Sequence, residues 1–297
     1  MEACVMTSSA FTVDGVASSG SGTVTSIATT APISGGPITT TGTISLANAS
    51  VTPGSYSSAN ITVDAHGLIQ SASNGSGSGT AFQIVNVQVF TSSGTYTPTL
   101  HMQYCTVQCL AGGGGGGGVA ATSGSTIAIG DGGGSGEYAV GTFSAATIGV
   151  SQVVTIGAGG TAGSPAGGTG GTGGTSSLGG LITSLGGQGG DYGLAVSAFS
   201  GVGGLGGNGG VGGDYRAPGA PGIAAYGSAS PLFTASGAGA SSQLGGGGQA
   251  VPTNGNGNAG LGYGSAGSGA CNIVSSGSTR PGGAGAPGII IITEYIS

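Results

Sequence analysis

GGTGGTGGT (167–175) and GGLGGNGGVGG (203–213) repeat every three residues, with glycine at two of every three places. A polyproline II type of backbone has three residues per turn, so such a run carries two glycine edges and one side-chain edge. In the second run Val202, Leu205, Asn208 and Val211 share that edge. Glycine is costly to order, and this backbone has no internal hydrogen bonds, so one such helix does not persist alone in water. Its N–H and C=O groups point sideways and need partners. Side-by-side packing supplies them, glycine permits the close approach, and Cα–H···O contacts add modest support. The period therefore predicts a polyglycine II helix bundle in place of a conventional hydrophobic core.

The composition fits an ordered but unusual material. Of 297 residues 74 are glycine, and charged residues make up 3%, against roughly 25% in ordinary soluble domains. Arg216 and Arg280 are the only cations among Lys and Arg. Nucleic-acid binding needs clustered cations to neutralise phosphates, so that class is excluded. Membrane insertion is not expected, because strictly apolar runs such as Ile289 to Ile292 fall far short of the ~20 residues of a spanning helix. MEACVMTSSAF carries no basic region followed by an apolar one, so no secretory leader is expected. Collagen is excluded by the lack of a continuous Gly-X-Y register.

Working outward, the chain divides where composition changes. Residues 1–21 read as a flexible or attachment segment and 22–76 as a β-module of short strands. Within that module Asp64-Ala65-His66-Gly67 has the signature of a type I hairpin turn. Residues 77–81 read as a linker. Residues 82–297 form a glycine-rich domain, with β-strands expected in 82–157 and 288–296 and the bundle with its end loops at about 158–287. Strand candidates are 82–90, 100–110, 137–142, 152–157 and 288–295, and the first and last of these are expected to meet. No segment has a convincing 3.6-residue apolar period, so the fold class is mostly β with very low helix content.

Segments of different character interrupt the glycine runs at 191–199, 214–233, 249–258 and 271–281. If the runs form a rigid bundle, these become loops at its ends. Their Tyr192, Phe199, Tyr215, Arg216, Tyr226, Phe233, Asn254 and Arg280 have the makeup of a recognition surface on a scaffold. The plainer alternative is that the aromatics cap and shield the bundle.

Here the residues carry a resemblance. GTVTSIATTAPISGGPITTTGTISLANASVTPGSYSSANITVDAHGLIQSASNG (22–75) resembles a repeat of tailed-phage tail-fibre proteins. VFTSSGTYTP (89–98), the poly-Gly run and PGIIIITEY (287–295) are similar to the glycine-rich domain of phage fibre tips. The resemblance implies a virion component, located in a tail fibre or tail tip, that recognises a host-surface glycan or outer-membrane protein through loops on a polyglycine II scaffold. It also implies other virion proteins as partners and a homotrimer.

Catalytic and metal chemistry find little footing. Cys105 and Cys109 lie four apart on an expected strand, facing one side about 13 Å apart, too far to bridge. With His101 they lack zinc-ligand spacing, and free or buried thiols are expected for them and for Cys4 and Cys271. Asp131, Glu137, Asp191 and Asp214 form no patterned pair of the glycosidase kind. The heptaglycine is followed by no Lys-Ser/Thr, so it is not a phosphate loop. No catalytic residue, metal or cofactor is expected, and the chain is read as non-enzymatic. A rival reading is a purely structural fibre shaft, capsid decoration or filament subunit without a receptor. A third is ice binding through a row such as Thr169, Thr172 and Thr175.

Overall fold

A computed structural model describes residues 25–46, 51–75 and 84–297. The segment expected at 1–21, the linker at 77–81 and Cys4 lie outside these residues. The chain divides into two compact units, Met1–Ala81 and Phe82–Ser297. The fold is mostly β with almost no helix.

The first unit holds two antiparallel ribbons. Strand β1 (Ile33–Ser34) pairs β2 (Ser45–Leu46), and β3 (Asn60–Val63) pairs β4 (Ile69–Ser73). The second ribbon turns at Asp64, whose Oδ1 accepts from the N–H groups of His66 and Leu68 while Gly67 takes a φ of +84°. Among the described residues of this unit none is buried, and Ile33, Leu46, Ile61 and Val63 are all exposed.

In chain order the second unit continues with β5 (Ile84–Phe90), β6 (Gly94–Tyr96), β7 (Met102–Leu110), β8 (Ala128–Ile129) and β9 (Tyr138–Ser144). A single turn of helix, α1 (Ala145–Ile148), follows, capped by the Ser144 side chain accepting from the Thr147 N–H. Next come β10 (Gln152–Thr155), β11 (Ser176–Leu178), β12 (Ile182–Ser184), β13 (Ala198–Ser200), β14 (Tyr215–Ala217), β15 (Tyr226–Ala229) and β16 (Leu232–Ala235). The last are β17 (Leu244–Gly246), β18 (Leu261–Tyr263), β19 (Cys271–Asn272) and β20 (Ile289–Ile296).

Two antiparallel sheets form the base of this unit. One has the order β14-β9-β7-β20-β5 and the other β12-β11-β10-β6. The β-branched run of β20 suits a central strand, and it pairs β5 on one side and β7 on the other. Period-two alternation sends Cys105, Val107 and Cys109 of β7 and Ile290 and Ile292 of β20 into one core. Tyr96, Ile148, Val154, Leu178 and Ile182 complete it from the other sheet and α1. Each such aliphatic side chain contributes roughly 1.5–3 kcal/mol by leaving water.

From this base extended glycine segments rise and bond sideways. Residues 112–118 continue β7 directly, and successive N–H groups aim at different neighbours in a cycle of three. Gly112, Gly115 and Gly118 donate to Gly174, Gly171 and Gly168; Gly113 and Gly116 to Ala286 and Gly283; Gly114 and Gly117 to Gly134 and Asp131. Their carbonyls accept from residues of 160–163, 187–193 and 267–270. The segment is thus enclosed by six others.

The same holds for 130–136 and for 264–270, and these three segments bond to one another through Gly114, Gly133, Gly134 and Gly267. Nine outer segments surround them: 157–163, 168–174, 185–191, 201–207, 217–223, 237–240, 245–251, 257–260 and 281–286. Each bonds to the next by main-chain hydrogen bonds, except that 245–251 and 257–260 are joined by the Asn258 side chain donating to the Gln249 carbonyl.

This packing explains seven glycines in a row. All three edges of 112–118 face another backbone, and a Cβ on Gly115 or Gly117 would sit 1.9 Å from the Thr161 oxygen or 1.8 Å from that of Asp191. Outer segments have one edge in water and accept a side chain there every third residue. Val202, Leu205, Asn208 and Val211 are all exposed on that shared edge. Residues 82–157, read from sequence as strands, therefore also supply two of the three innermost segments.

Candidate functional site

The lattice has two ends. One grades into the base sheets, where β7, β9, β10, β11, β12, β14 and β20 adjoin glycine segments. At the other end, on the order of 20 Å along the segments, lie the sheet β13-β15-β16 and the pair β19-β8. A second apolar core of Ile127, Ile129, Ala225, Val251 and Cys271 holds this far end together, with Phe199 and Val274 packed against it.

Six of the eight residues singled out in the sequence lie at this end: Tyr192, Phe199, Tyr226, Phe233, Asn254 and Arg280. Tyr226 and Phe233 are diagonal neighbours across β15 and β16 with ring centroids 6.4 Å apart, and both are about half exposed. Asn254 is exposed and its Oδ1 accepts from the Ile273 N–H at 2.9 Å. Arg280 is tied down. Its main chain pairs with Val119, and its Nε donates to Asn272 Oδ1 at 2.7 Å.

Tyr215 and Arg216 are not part of this face. They lie on β14 at the base, opposite Val140 and Ala139 of β9. Arg216 is consumed by structure: its Nη2 is 2.9 Å from Glu137 Oε1, and it also donates to the carbonyls of Gly212 and Thr183.

Beside the far-end aromatics is a cleft of about 470 Å³, lined by Asp131, Asp191, Tyr192, Leu194, Val196, Phe199 and residues 200–202. Its floor is the buried carboxylate of Asp131, which accepts from the N–H groups of Val202 at 3.2 Å and Ala225 at 2.5 Å. Burial pushes this carboxyl above the usual range; the two N–H bonds oppose that shift and the Asp191 charge adds to it. Both Asp131 oxygens are occupied by main-chain donors, so its evident work is to end the lattice. The exposed Asp191, the Tyr192 ring and the half-buried Phe199 supply a polar acceptor and aromatic faces for a ligand.

The sequence reading weighed Asp131 and Glu137 only as members of a glycosidase pair and missed their capping role. They stand six apart, hence on one edge of a three-residue period, and bracket the interior run 132–136. Each caps main-chain N–H groups where lattice partners run out, Glu137 accepting from Leu185 and Gly210 at 3.0 Å. An acid at each end of a glycine run, in phase with its period, was the available signal.

Cys105, Cys109 and Cys271 are free thiols, all buried. Burial raises each of them, Cys109 to about 11. Among the described residues no group of three His, Cys, Asp or Glu side chains is placed to hold a metal ion, and no helix is long and apolar enough to cross a membrane.

A family model described as a glycine-rich domain matches residues 90–295. No curated protein matches the chain.

Proposed function

Because the chain belongs to this glycine-rich domain family, we propose that it is a non-enzymatic tail-fibre or tail-tip protein of a virion that recognises a host-surface receptor. The observation that carries this reading is one end of the lattice where Tyr192 and Phe199 line a cleft and the Tyr226–Phe233 pair and Asn254 are also presented. Aromatic faces and amides on a rigid support suit a glycan or the loops of an outer-membrane protein, bound by stacking and hydrogen bonds instead of charge. The scaffold is a polyglycine II helix bundle in this proposal. Support comes from the cycle of three in the hydrogen bonds of 112–118 and from side chains confined to every third place of the outer segments.

The first unit supports assembly into a larger body. Its described residues bury nothing, and Ile33, Leu46, Ile61 and Val63 stay in water. Short ribbons without a covered face are marginal alone. Other copies of the chain, as in a homotrimer, or neighbouring virion proteins would cover them. The same observation favours the second reading, a fibre subunit without a receptor.

Labelled full-length protein incubated with whole candidate host cells separates the two. Saturable binding that falls at least tenfold in the Tyr192→Ala/Phe233→Ala variant, and survives in Tyr215→Ala, is the expected result. A folded protein that binds none of the cells, or binds equally with both variants, removes the receptor reading.

A further inference from the structure

On one flank of the lattice runs a groove of about 540 Å³ that meets the far-end cleft at Asp191 and is lined by no aromatic side chain. Its form follows from the packing. Segment 185–191 touches two interior segments and sits low; 168–174 and 201–207 each touch one interior segment and stand proud on either side of it. The low segment becomes a floor, and its neighbours become walls. One wall carries Thr169, Thr172 and Thr175, the floor carries Gln188 and Asp191, and Asn208 stands on the other wall.

These side chains are exposed, and none of them makes a hydrogen bond or ion pair within the described chain. That sets them apart from Asn254, Asn258 and Asn272, whose amide groups all hold neighbouring backbone. The main-chain N–H groups of Thr169 and Thr172 also make no hydrogen bond within the described chain. The groove thus offers hydroxyls, amides and main-chain donors repeating about every 9 Å along its length. Its one charge is the Asp191 carboxylate. The cations Arg216 and Arg280 are held elsewhere, by Glu137 and Asn272.

We propose that this flank groove binds an extended, neutral glycan chain. A polyhydroxylated polymer answers alternating donors and acceptors at a regular repeat, and a concave polar channel with a glycine floor lets it lie close to the backbone. Asp191 and the net charge of −6 disfavour acidic polymers. Asp191 lines both this groove and the far-end cleft, so a chain seated in the groove leaves it beside Tyr192. The site does not depend on the receptor reading of the far-end face.

Affinity electrophoresis of the full-length protein through gels containing dextran, amylose, mannan or hydroxyethylcellulose, with alginate as the acidic comparator, tests it. At least one neutral polymer is expected to retard the protein and alginate is not. Thr172→Lys, which fills the channel from an exposed position, should weaken retardation at least tenfold. Gln188→Leu should weaken it severalfold and provides a second variant should the first not fold. Tyr192→Ala/Phe233→Ala should retain it. The proposal fails if no neutral polymer retards the protein, if alginate does so equally, or if both groove variants bind like the parent. Binding kept in Thr172→Lys but lost in the aromatic variant moves the polymer to the far-end face and also overturns the groove.

Discussion

Glu137 and Arg216 form an ion pair of 2.9 Å at the seam where the base sheets give way to glycine segments. The glutamate is fully buried and its other oxygen accepts the N–H groups of Leu185 and Gly210. Truncating one member of such a pair leaves a charge without its partner, at a cost of about 3–5 kcal/mol. Arg216→Ala should therefore lower thermal stability strongly, and Arg216→Met combined with Glu137→Gln should recover a good part of the loss. Thermal unfolding followed by circular dichroism measures both. If Arg216→Ala unfolds at the parent's temperature, the pair is not structural.

At Gly115 and Gly133 the interior of the lattice has no room for a methyl group. A Cβ on Gly115 would lie 1.9 Å from the Thr161 oxygen, and one on Gly133 would lie 2.6 Å from that of Gly114, whereas one on Gly246 meets nothing within 4 Å. Gly115→Ala should push two segments apart and break their shared bonds, costing several kcal/mol or preventing folding. Gly246→Ala should be neutral or stabilise slightly, by about 0.4–1 kcal/mol. Soluble yield and chemical unfolding of the two variants provide the comparison.

Acid should act on the base sheets through Glu294. Burial works against its charge, but the Thr99 hydroxyl and N–H, the Tyr96 hydroxyl and the Asn86 amide outweigh it and hold the carboxyl below its usual value. A carboxyl lowered on folding adds stability above the unfolded value and loses it as pH falls toward the folded one. Melting temperature should decline through the ordinary glutamate range, near 4.3, and below. Glu294→Gln should be less stable at pH 7 with a flatter acid limb. Asp131 has the opposite sign: raised by burial, it contributes less as pH climbs above the aspartate range. An acid limb unchanged by Glu294→Gln counts against this account.

Cys105, Cys109 and Cys271 should resist alkylation. All three are buried with thiols raised by burial, and the thiolate is the reactive form. Iodoacetamide at pH 8 should leave these three unmodified in the native protein and label them fully in denaturant, as read by peptide mass spectrometry. Rapid native labelling of Cys105 or Cys109 contradicts the packing of β7.

Much of this fold was legible locally. The Ile-rich close of the chain declared β20, Asp64 to Gly67 declared a hairpin, and the GGX period declared which residues of 202–211 share an exposed edge. What stayed hidden depends on distant partners. Arg216 looks like an available cation in a loop until Glu137, far earlier in the chain, takes it. Of the far-end face, composition picked out the aromatics, but no local pattern tells that Tyr215 sits at the base and Tyr226 at the opposite end. The cleft joins Asp131 to Phe199 through lattice bonds that have no sequence neighbour. The heptaglycine has no side chain to mark its place, yet its six neighbours put it in the interior.

That enclosure has a bearing on the order of assembly. Residues 112–118 leave the ribosome well before 264–270 and 281–286, which close two of their six sides. An interior made from the earliest strands and finished by the last cannot be completed piecemeal. Long sequence separations of this kind slow folding. Until 264–270 and 281–286 arrive, Gly113, Gly114, Gly116 and Gly117 have only water for those partners, so completion hinges on the last part of the chain.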